Sequence, residues 1–293
     1  MNTKTINLSK KTISEFDLPF IIAEIGQNHQ GDISIAKKLI DKAKESGVSA
    51  VKFQTKDIET AFTKEQLNKE YDNPNSFGKT YREHKKALEL NFNQLVELKK
   101  YSEDRDLIFF STPFDILSVK LLEKINQEIY KISSFHVTDI DLIKAVCATN
   151  KPIILSTGMS TIEEIDKAVE VIKENKNPFV LLHCVSSYPT KIEDMNLNII
   201  LALKERYDCL IGYSGHETNA NIAPSTVLYG SCIIERHFTL DRSMKGTDHA
   251  ASLEPDGMEL LVKRSNSLFI AKGSKEKKVL DSELGNRKKF RGY

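Results

Sequence analysis

Short apolar runs alternate along the chain with longer stretches in which apolar residues recur every three or four positions. The first pattern is typical of buried strands and the second of amphipathic helices. The predicted helices include Ile33–Glu45, Asn93–Arg105, Thr161–Glu174 and Asn196–Tyr207. The predicted strands are Phe20–Glu24, Ala50–Gln54, Leu107–Ser111, Ile129–Ile132, Pro152–Ser156, Phe179–His183, Leu210–Tyr213 and Ile233–His237.

This regular alternation predicts an α/β fold with a parallel sheet and helical crossovers. Eight strand–helix units in about 250 residues match the size of a (β/α)8 TIM barrel, and a doubly wound open sheet is the alternative. Asp32, Asp139 and Thr161 precede predicted helices and are candidate N-caps. Glu164 follows Thr161 by three residues, which is the spacing of a capping box.

The predicted domain organisation is a single barrel over residues 1–273 with one long polar insertion, residues 56–90, after the second strand. Long excursions at this end of a barrel form lids and substrate loops, so we expect the insertion to fold over the mouth. Residues 274–293 are charged and lack apolar periodicity, which predicts a solvated tail.

The charge of the chain is nearly balanced, with 42 basic and 41 acidic residues among 293. Such a balance gives no overall field that would attract nucleic acid or an anionic membrane, so we expect neither as a partner. The N-terminal segment lacks the apolar core of a signal peptide, and no apolar run approaches the roughly 20 residues that span a bilayer. These features predict a cytoplasmic location.

Two histidines, His216 and His237, follow the last two predicted strands. The carboxyl ends of barrel strands meet on one face, where the active sites of TIM barrels lie. Two imidazoles brought together there are suited to a divalent metal ion and leave positions open for water, substrate oxygens or Glu24.

Lysines and hydroxyl groups also converge at the predicted strand ends. Lys52 and Lys131, with nearby serine and threonine hydroxyls, are suited to binding a compact dianion such as a phosphate ester. Glu235 lies two residues before His237, so both side chains face the same side of the strand. This position suits Glu235 for general acid or base catalysis, for binding a sugar hydroxyl, or for an ion pair with a lysine inside the barrel.

Nine segments in one order resemble the sialic acid synthase family. They span residues 21–255 and read IIAEIGQNHQGD, AVKFQT, SFGKTYREH, FFSTPFD, YKISS, PIILSTGMST, LLHCVSSYPT, IGYSGHET and IERHFTLDRSMKGTDHAASLEP.

The resemblance implies an enzyme that condenses phosphoenolpyruvate with an N-acetylmannosamine-type sugar. It implies that His216 and His237 bind a divalent metal ion. The expected ion is Mn²⁺, and Mg²⁺ and Co²⁺ are the alternatives. Ser186 takes the place of an asparagine that some bacterial members have. The implied catalytic residues, which face the sugar, are Glu24, Tyr188, Glu235 and Asp248. The implied substrate-binding residues are Lys52, Gln54, Thr112, Lys131, Ser134, Ser156, Ser186 and Ser214.

The acceptor implied by the resemblance is N-acetylmannosamine or its 6-phosphate, giving N-acetylneuraminate or its 9-phosphate. The segments GKTYREH and KGTDHAASLEP are closer to the branch that uses the 6-phosphate, with Lys79, Arg82 and His84 as candidate phosphate contacts. Two alternatives remain open. One is a related synthase of the legionaminic or pseudaminic type, and the other is an inert barrel that binds a sugar or phosphate.

Many members of this family continue into a C-terminal antifreeze-like domain that reaches the active site of a partner subunit. Here the sequence after residue 273 corresponds to the linker. We therefore expect a catalytic barrel without that domain. Either another polypeptide supplies the domain, or the substrate is recognised without it, or the activity is weak. A homodimer is the expected assembly.

Overall fold

The computed structural model describes residues 4–293, so residues 1–3 of the predicted barrel domain lie outside the described part. Within residues 4–293, eight parallel strands form the barrel sheet, namely β3 (Phe20–Gly26), β4 (Ala50–Thr55), β5 (Ile108–Pro113), β6 (Tyr130–Ile132), β7 (Ile153–Ser156), β8 (Phe179–Cys184), β9 (Leu210–Gly215) and β10 (Ile233–His237). Their hydrogen-bonded order is β5-β4-β3-β10-β9-β8-β7-β6. The prediction of a (β/α)8 barrel is confirmed, and the doubly wound alternative is excluded.

The helices connect the strands on the outside of the barrel. The helices predicted from periodicity are all present, with ends within two residues of the prediction. In chain order the helices are α1 (Ile33–Glu45), α2 (Ile58–Ala61), α3 (Lys64–Asn68), α4 (Tyr81–Leu88), α5 (Phe92–Glu103), α6 (Ile116–Lys124), α7 (Ile140–Cys147), α8 (Ile162–Glu174), α9 (Asn198–Arg206), α10 (Pro255–Lys272) and α11 (Asp281–Arg291). Between β9 and β10 a 3₁₀ segment, Ala223–Tyr229, takes the place of a helix.

The three predicted N-caps are confirmed. The Asp32 carboxylate accepts hydrogen bonds from the backbone of Ser34 and Ile35, and Asp139 accepts one from Leu142 N. Thr161 and Glu164 form the expected capping box. These caps satisfy backbone donors at the starts of α1, α7 and α8 and so fix where each helix begins.

A short hairpin closes the amino-terminal end of the barrel. Its strands, β1 (Thr5–Asn7) and β2 (Thr12–Ser14), are antiparallel. Ile6 and Ile13 are buried in the same apolar cluster as Phe20 and Ile154, which belong to the barrel strands. Because this end is filled by packed side chains, the barrel opens only at the carboxyl ends of the strands.

The insertion after β4 folds into α2, α3 and α4 over this open end. Phe62, Gln66, Tyr81 and Lys85 from the insertion line the cavity at the barrel mouth, as expected for residues 56–90. The charged segment after residue 273 contains a helix, α11, which the sequence did not predict, but none of its residues is buried.

None of the helices in residues 4–293 combines the length and the apolar character that crossing a membrane requires.

Candidate active site

A cavity of about 710 Å³ lies at the carboxyl ends of the barrel strands. Nearly all of the residues predicted from sequence to form the site line this one cavity. They are Glu24, Lys52, Gln54, Thr112, Lys131, Ser134, Ser156, Tyr188, Ser214, His216, Glu235, His237 and Asp248.

The parallel register explains why these residues meet. Glu24 on β3 is level with Lys52 on β4 and with His237 on β10. Glu235 on β10 is level with Ser214 on β9. Glu235 and His237 lie two residues apart on β10 and face the same side, so the register assembles two successive levels of polar groups from residues far apart in sequence.

Four charged side chains lie at the centre of these polar groups, and we call them the inner cluster: Glu24, Lys52, Lys131 and Glu235. Lys52 Nζ lies 2.8 Å from Glu24 Oε2 and 3.6 Å from Glu235 Oε2. Lys131 Nζ lies 3.4 Å from Glu235 Oε1. All four residues are 5% exposed or less. Two cations and two carboxylates therefore balance one another inside the protein, as buried charges require.

Burial and pairing act in opposite directions on these groups. Burial alone would raise the pKa of Glu235, but Lys131 and Lys52 outweigh it and hold that pKa at about 2. Burial alone would lower the pKa of Lys52, but Glu235 and Glu24 outweigh it and raise that pKa. Burial lowers the pKa of Lys131 despite the attraction of Glu235. Glu235 is therefore a carboxylate at neutral pH.

Hydroxyl groups surround the inner cluster. Thr112 Oγ1 accepts a hydrogen bond of 3.0 Å from Lys52 Nζ, and Ser214 Oγ donates one of 3.0 Å to Glu235. Ser134 Oγ accepts from Gly158 N at 2.9 Å. Ser156 Oγ is buried and has no hydrogen-bond partner among residues 4–293. A buried hydroxyl without a partner beside a cavity is the arrangement expected where a polar ligand binds.

The two predicted metal-binding histidines lie side by side, His216 directly after β9 and His237 at the end of β10. The ring centroids of His216 and His237 are 5.5 Å apart. Tyr188 packs on both rings, with its centroid 4.1 Å from that of His216 and 6.1 Å from that of His237. His216 Nδ1 lies 2.8 Å from Val185 O, which fixes the orientation of the ring.

Both imidazoles suit a metal ion. Burial lowers the pKa of His216 and of His237, so each ring is neutral at pH 7, which is the form that binds metals. His237 Nδ1 is buried without a hydrogen-bond partner in the described chain and lies 3.9 Å from Asp248 Oδ2. Residues 4–293 contain no group of three side chains poised as metal ligands. Two imidazoles supply two ligands, and a bound ion would take its remaining ligands from water or substrate oxygens.

Some predicted contacts do not reach this cavity. Ser186 lies in an adjoining groove beside α8 and α9, with its Oγ 4.0 Å from Cys184 Sγ. Of the three candidate phosphate contacts in the insertion, none lines the cavity. Arg82 pairs with Glu59, while the buried His84 ring accepts a hydrogen bond from Phe77 N. Lys79 follows Gly78 in the turn before α4.

Other cavity residues were not predicted, namely Gln27, Lys56, Tyr81, Lys85, Phe114 and His136. Lys56 could have been found, because it continues the alternation of Lys52 and Gln54 to the residue directly after β4. Lys56 is 8% exposed, donates a hydrogen bond of 2.9 Å to Gln54 Oε1, and lies 4.0 Å from the centre of the Phe114 ring.

Gln54 joins this outer lysine to the inner cluster. Gln54 Nε2 donates a hydrogen bond of 2.9 Å to Glu24 Oε1, and Glu24 in turn contacts Lys52. The chain of contacts from Lys56 through Gln54 and Glu24 to Lys52 runs from the insertion to the floor of the cavity.

A closed α/β barrel with buried lysines, carboxylates and paired histidines at its strand ends defines an enzyme site for anionic substrates. A comparison with protein families identifies which class of barrel this is. Residues 39–277 match the model of the NeuB family, and the chain belongs to that family.

Similar proteins include synthases of nonulosonic acids. The chain is 42% identical to the N-acetylneuraminate-9-phosphate synthase of Drosophila melanogaster over 84% of its own length and 66% of the fly protein. It is 37% identical to the N,N'-diacetyllegionaminic acid synthase of Campylobacter jejuni over 91% of its length and 81% of that protein. The chain thus spans about two thirds of the length of the Drosophila protein and about four fifths of the length of the Campylobacter protein.

The fold matches a solved structure almost end to end. The N-acetylneuraminic acid synthetase of Leptospira borgpetersenii, solved in complex with citrate, superimposes with a TM-score of 0.86 at 34% identity. The alignment covers 99% of this chain and 98% of the Leptospira chain. The barrel and its insertion therefore correspond to the whole of that protein as solved.

Proposed function

We propose that this protein is a synthase that forms a carbon–carbon bond between phosphoenolpyruvate and N-acetylmannosamine or its 6-phosphate. The products are N-acetylneuraminate, or its 9-phosphate, and inorganic phosphate. The observation that carries the proposal is that the inner cluster, its hydroxyls and the two histidines face one cavity. The family relatives act in the synthesis of such nine-carbon sugar acids.

Phosphoenolpyruvate is suited to the floor of the cavity. Lys52 and Lys131 supply positive charge to its phosphate and carboxylate, and the hydroxyls of Thr112, Ser134, Ser156 and Ser214 supply directed donors. Lys52 and Lys131 are already held by Glu24 and Glu235. The binding groups are therefore oriented before the substrate arrives, which lowers the cost of binding.

His216 and His237 would hold a divalent metal ion. We expect Mn²⁺, with Mg²⁺ or Co²⁺ as alternatives. When bound, it supplies a Lewis acid that polarises the aldehyde of the open-chain sugar.

The reaction forms one carbon–carbon bond and breaks one carbon–oxygen bond. C3 of phosphoenolpyruvate bonds to the aldehyde carbon, whose oxygen becomes a hydroxyl by taking a proton. Water adds at C2 and loses a proton, and the phosphate leaves with its bridging oxygen as C2 becomes a keto group. Glu24, Glu235 and Asp248 line the cavity, and in this proposal they accept protons or bind sugar hydroxyls.

Tyr188 and Asp248 have opposite hydrogen-bonding roles in this scheme. Burial raises the pKa of Tyr188 above its ordinary value, so its hydroxyl stays neutral and can donate. Burial alone would raise the pKa of Asp248, but His237, Thr247, Lys85 and Lys56 outweigh it and lower that pKa, so Asp248 is an acceptor at neutral pH.

The test is phosphate release by purified protein supplied with Mn²⁺, phosphoenolpyruvate and each sugar, with the product identified by mass. We expect turnover that stops on chelation and returns with Mn²⁺. His216→Ala and His237→Ala should each abolish it and should also weaken Mn²⁺ binding measured by electron paramagnetic resonance. Near-normal turnover in either variant would overturn the metal assignment.

The same assay separates the alternatives. Reaction with a diacetamido sugar alone would identify a synthase of the legionaminic type, to which the Campylobacter relative belongs by name. Sugar or phosphate binding without phosphate release would identify an inert barrel.

A homodimer in the cytoplasm completes the proposal. Light scattering coupled to size-exclusion chromatography should give about twice the 33.2 kDa chain mass, and cell fractionation tests the location. A mass of one chain would exclude the dimer.

A further inference from the structure

The cavity has a second group of cations, separate from the inner cluster. Lys56 at the end of β4 and Lys85 on α4 both line the cavity where the insertion covers it. Gln54 and Glu24 lie between Lys56 and Lys52. We call Lys56, Lys85 and Gln27 the outer subsite.

The inner and outer groups differ in charge balance. In the inner cluster, each lysine has a carboxylate within 3.4 Å. In the outer subsite, Lys56 is 3.7 Å from Glu89 Oε1, a looser contact. Lys85 has no carboxylate within ion-pair distance in residues 4–293, and its polar contact is Gln27 Oε1 at 3.2 Å. The lysines of the outer subsite are therefore paired less closely with carboxylates than those of the inner cluster, although Glu89 and Asp248 attract both Lys56 and Lys85.

Gln27 adds a directed donor to this positive charge. Its Oε1 is used by Lys85, whereas its Nε2 is buried and lacks a partner within the described chain. Two ammonium groups and a free amide N–H₂ beside a cavity match the donors that a phosphate monoester requires. Tyr81, whose ring lies 5.2 Å from Lys85 Nζ, forms the adjoining wall.

The position of the outer subsite relative to the inner cluster indicates which part of the acceptor it meets. In an open-chain hexosamine the aldehyde and C6 are at opposite ends. If the aldehyde lies at the histidines and the inner cluster, the C6 end extends toward the insertion. Lys85 is on α4 of the insertion and Lys56 is the first residue of the insertion, so the outer subsite lies on the insertion side of the cavity.

We propose that Lys85, with Lys56 and Gln27, binds a phosphate group on C6 of the acceptor sugar, so that the enzyme prefers the phosphorylated acceptor. This inference rests on the proposed function and assigns the substrate form and the residues that select it. It replaces Lys79, Arg82 and His84, which the sequence had suggested for the same role.

The experiment compares kcat/KM for N-acetylmannosamine 6-phosphate with kcat/KM for N-acetylmannosamine at saturating phosphoenolpyruvate. The wild-type enzyme should prefer the phosphorylated sugar. Lys85→Met, which keeps the length of the side chain but removes its charge, should lower that preference by about 10- to 100-fold, the range for a charge-assisted hydrogen bond. Lys85→Arg should restore much of it, and Lys85→Glu should reverse it.

Lys86→Met is the matched control. Lys86 is the next residue of the same helix, but it is exposed and pairs with Glu59 at 3.2 Å outside the cavity. This variant should keep the wild-type ratio. Thermal unfolding of each variant checks that the fold is intact.

The outcomes distinguish this inference from the proposed function. Two results would overturn only the assignment of the outer subsite. One is equal kcat/KM for the two sugars, and the other is a ratio of the two kcat/KM values that neither Lys85→Met nor Lys85→Glu changes. No phosphate release from the wild-type enzyme with either sugar would overturn the proposed function and this inference with it.

Discussion

Glu235 contacts both lysines of the inner cluster, and its charge determines what it can do. Because Lys131 and Lys52 hold its pKa at about 2, Glu235 has no proton to give at neutral pH in the free protein. Its first role is to keep the two buried lysines charged and in place, which is the ion-pair reading that the sequence had left open. A role as a base or as a partner for a sugar hydroxyl remains compatible with this state.

Glu235→Gln should therefore destabilise the protein. Within residues 4–293, Lys131 has Glu235 as its only carboxylate at ion-pair distance, and the variant leaves that cation buried and unpaired. A loss of roughly 3–5 kcal/mol is expected for breaking such a pair. Thermal unfolding measures it, and phosphoenolpyruvate should stabilise the variant more than the wild type because an anion replaces the lost carboxylate.

The double variant Lys131→Met with Glu235→Gln is the control for this prediction. If the pair is the cause, the two changes together should cost less than the sum of the single changes. Additive losses would show that Glu235 stabilises the barrel independently of Lys131.

The charge of Lys85 predicts a pH dependence that only the phosphorylated acceptor should show. Burial and Lys56 lower the pKa of Lys85 to about 8, against the opposing attraction of Asp248 and Glu89. Lys85 is thus charged below pH 8 and loses its charge as the pH rises through 8. We expect kcat/KM for the 6-phosphate sugar to fall by up to about tenfold between pH 7.5 and 9.

The unphosphorylated sugar should not show this decline, and Lys85→Met should remove it. Tyr81 does not contribute in this range, since burial raises its pKa above the ordinary value for tyrosine. Burial also lowers the pKa of Lys56, so a residual decline in Lys85→Met would be assigned to Lys56. An identical pH profile for both sugars would contradict the prediction.

At this scale the sequence predicted the inward-facing residues of the strands better than those of the insertion. Lys52, Gln54 and Glu235 follow from alternation along a strand and from the common orientation of parallel strands. Lys85 does not, because a residue on a helix of a long insertion faces the cavity only through the packing of α3 and α4, which no local pattern encodes.

At the scale of elements, the barrel depends on a side chain where β5 and β6 adjoin. These two strands are the ends of the hydrogen-bonded order in the described sheet. Gln127, which is fully buried, bridges this seam: its Oε1 accepts from Ser111 N at 3.0 Å and its Nε2 donates to Ser111 O at 3.2 Å. The amide thus replaces the missing strand neighbour for one residue of β5.

Gln127→Met should destabilise the barrel without changing the volume of this residue much. It leaves two buried backbone groups of Ser111 without partners, at a cost of about 1–3 kcal/mol each. Thermal unfolding measures the loss, and hydrogen exchange at the Ser111 amide should become faster. Unchanged exchange at Ser111 would show that the seam does not need Gln127.

A second link between elements places the two histidines relative to each other. Arg236 points outward from β10 between Glu235 and His237, and it is fully buried. Its Nη1 donates to Glu217 Oε1 at 2.7 Å and to Asn219 O at 3.0 Å. Glu217 directly follows His216, so this pair ties the loop after β9 to the strand that carries His237.

Glu217→Gln should therefore weaken metal binding although Glu217 does not line the cavity. Removing the counter-ion of Arg236 loosens the loop that holds His216, and changes that disturb the orientation of metal ligands typically cost about 10- to 100-fold in affinity. Electron paramagnetic resonance titration with Mn²⁺ measures this. The control is Glu193→Gln, which removes an exposed carboxylate near Glu217 and should leave the affinity for Mn²⁺ unchanged. Equal Mn²⁺ affinities of the two variants would contradict a role of Glu217 in positioning His216.

The elements that were not predicted are too short or too polar to show the periodic spacing of apolar residues that marks a strand or a helix. Strands β1 and β2 have three residues each, so alternation cannot distinguish them from coil, yet Ile6 and Ile13 close the barrel floor. Helix α11 has no apolar face, and its backbone forms a helix without burying a side chain.

For the whole molecule, the barrel was predictable because eight repeats of one strand–helix pattern allow few arrangements. The contribution of each C-terminal helix to stability depends instead on how much apolar surface that helix buries. Helix α10 packs against the barrel through the buried residues Met258, Leu261 and Val262. Helix α11 buries none of its residues. Apolar burial contributes about 25 cal/mol per Å², so the two helices should differ sharply in what their removal costs.

Removal of residues 274–293 should therefore leave the melting temperature within about 2 °C of the full chain, which corresponds to less than about 1 kcal/mol for a chain of this size. Phosphate release and the preference between the two sugars should also be unchanged, since no residue of this segment lines the barrel cavity. Removal of residues 255–293 is the matched comparison and should abolish folding, because it uncovers the apolar surface under α10. Differential scanning calorimetry of both truncated proteins measures these melting temperatures. A large drop on removing residues 274–293 would contradict the prediction, because α11 buries no residue in this structure.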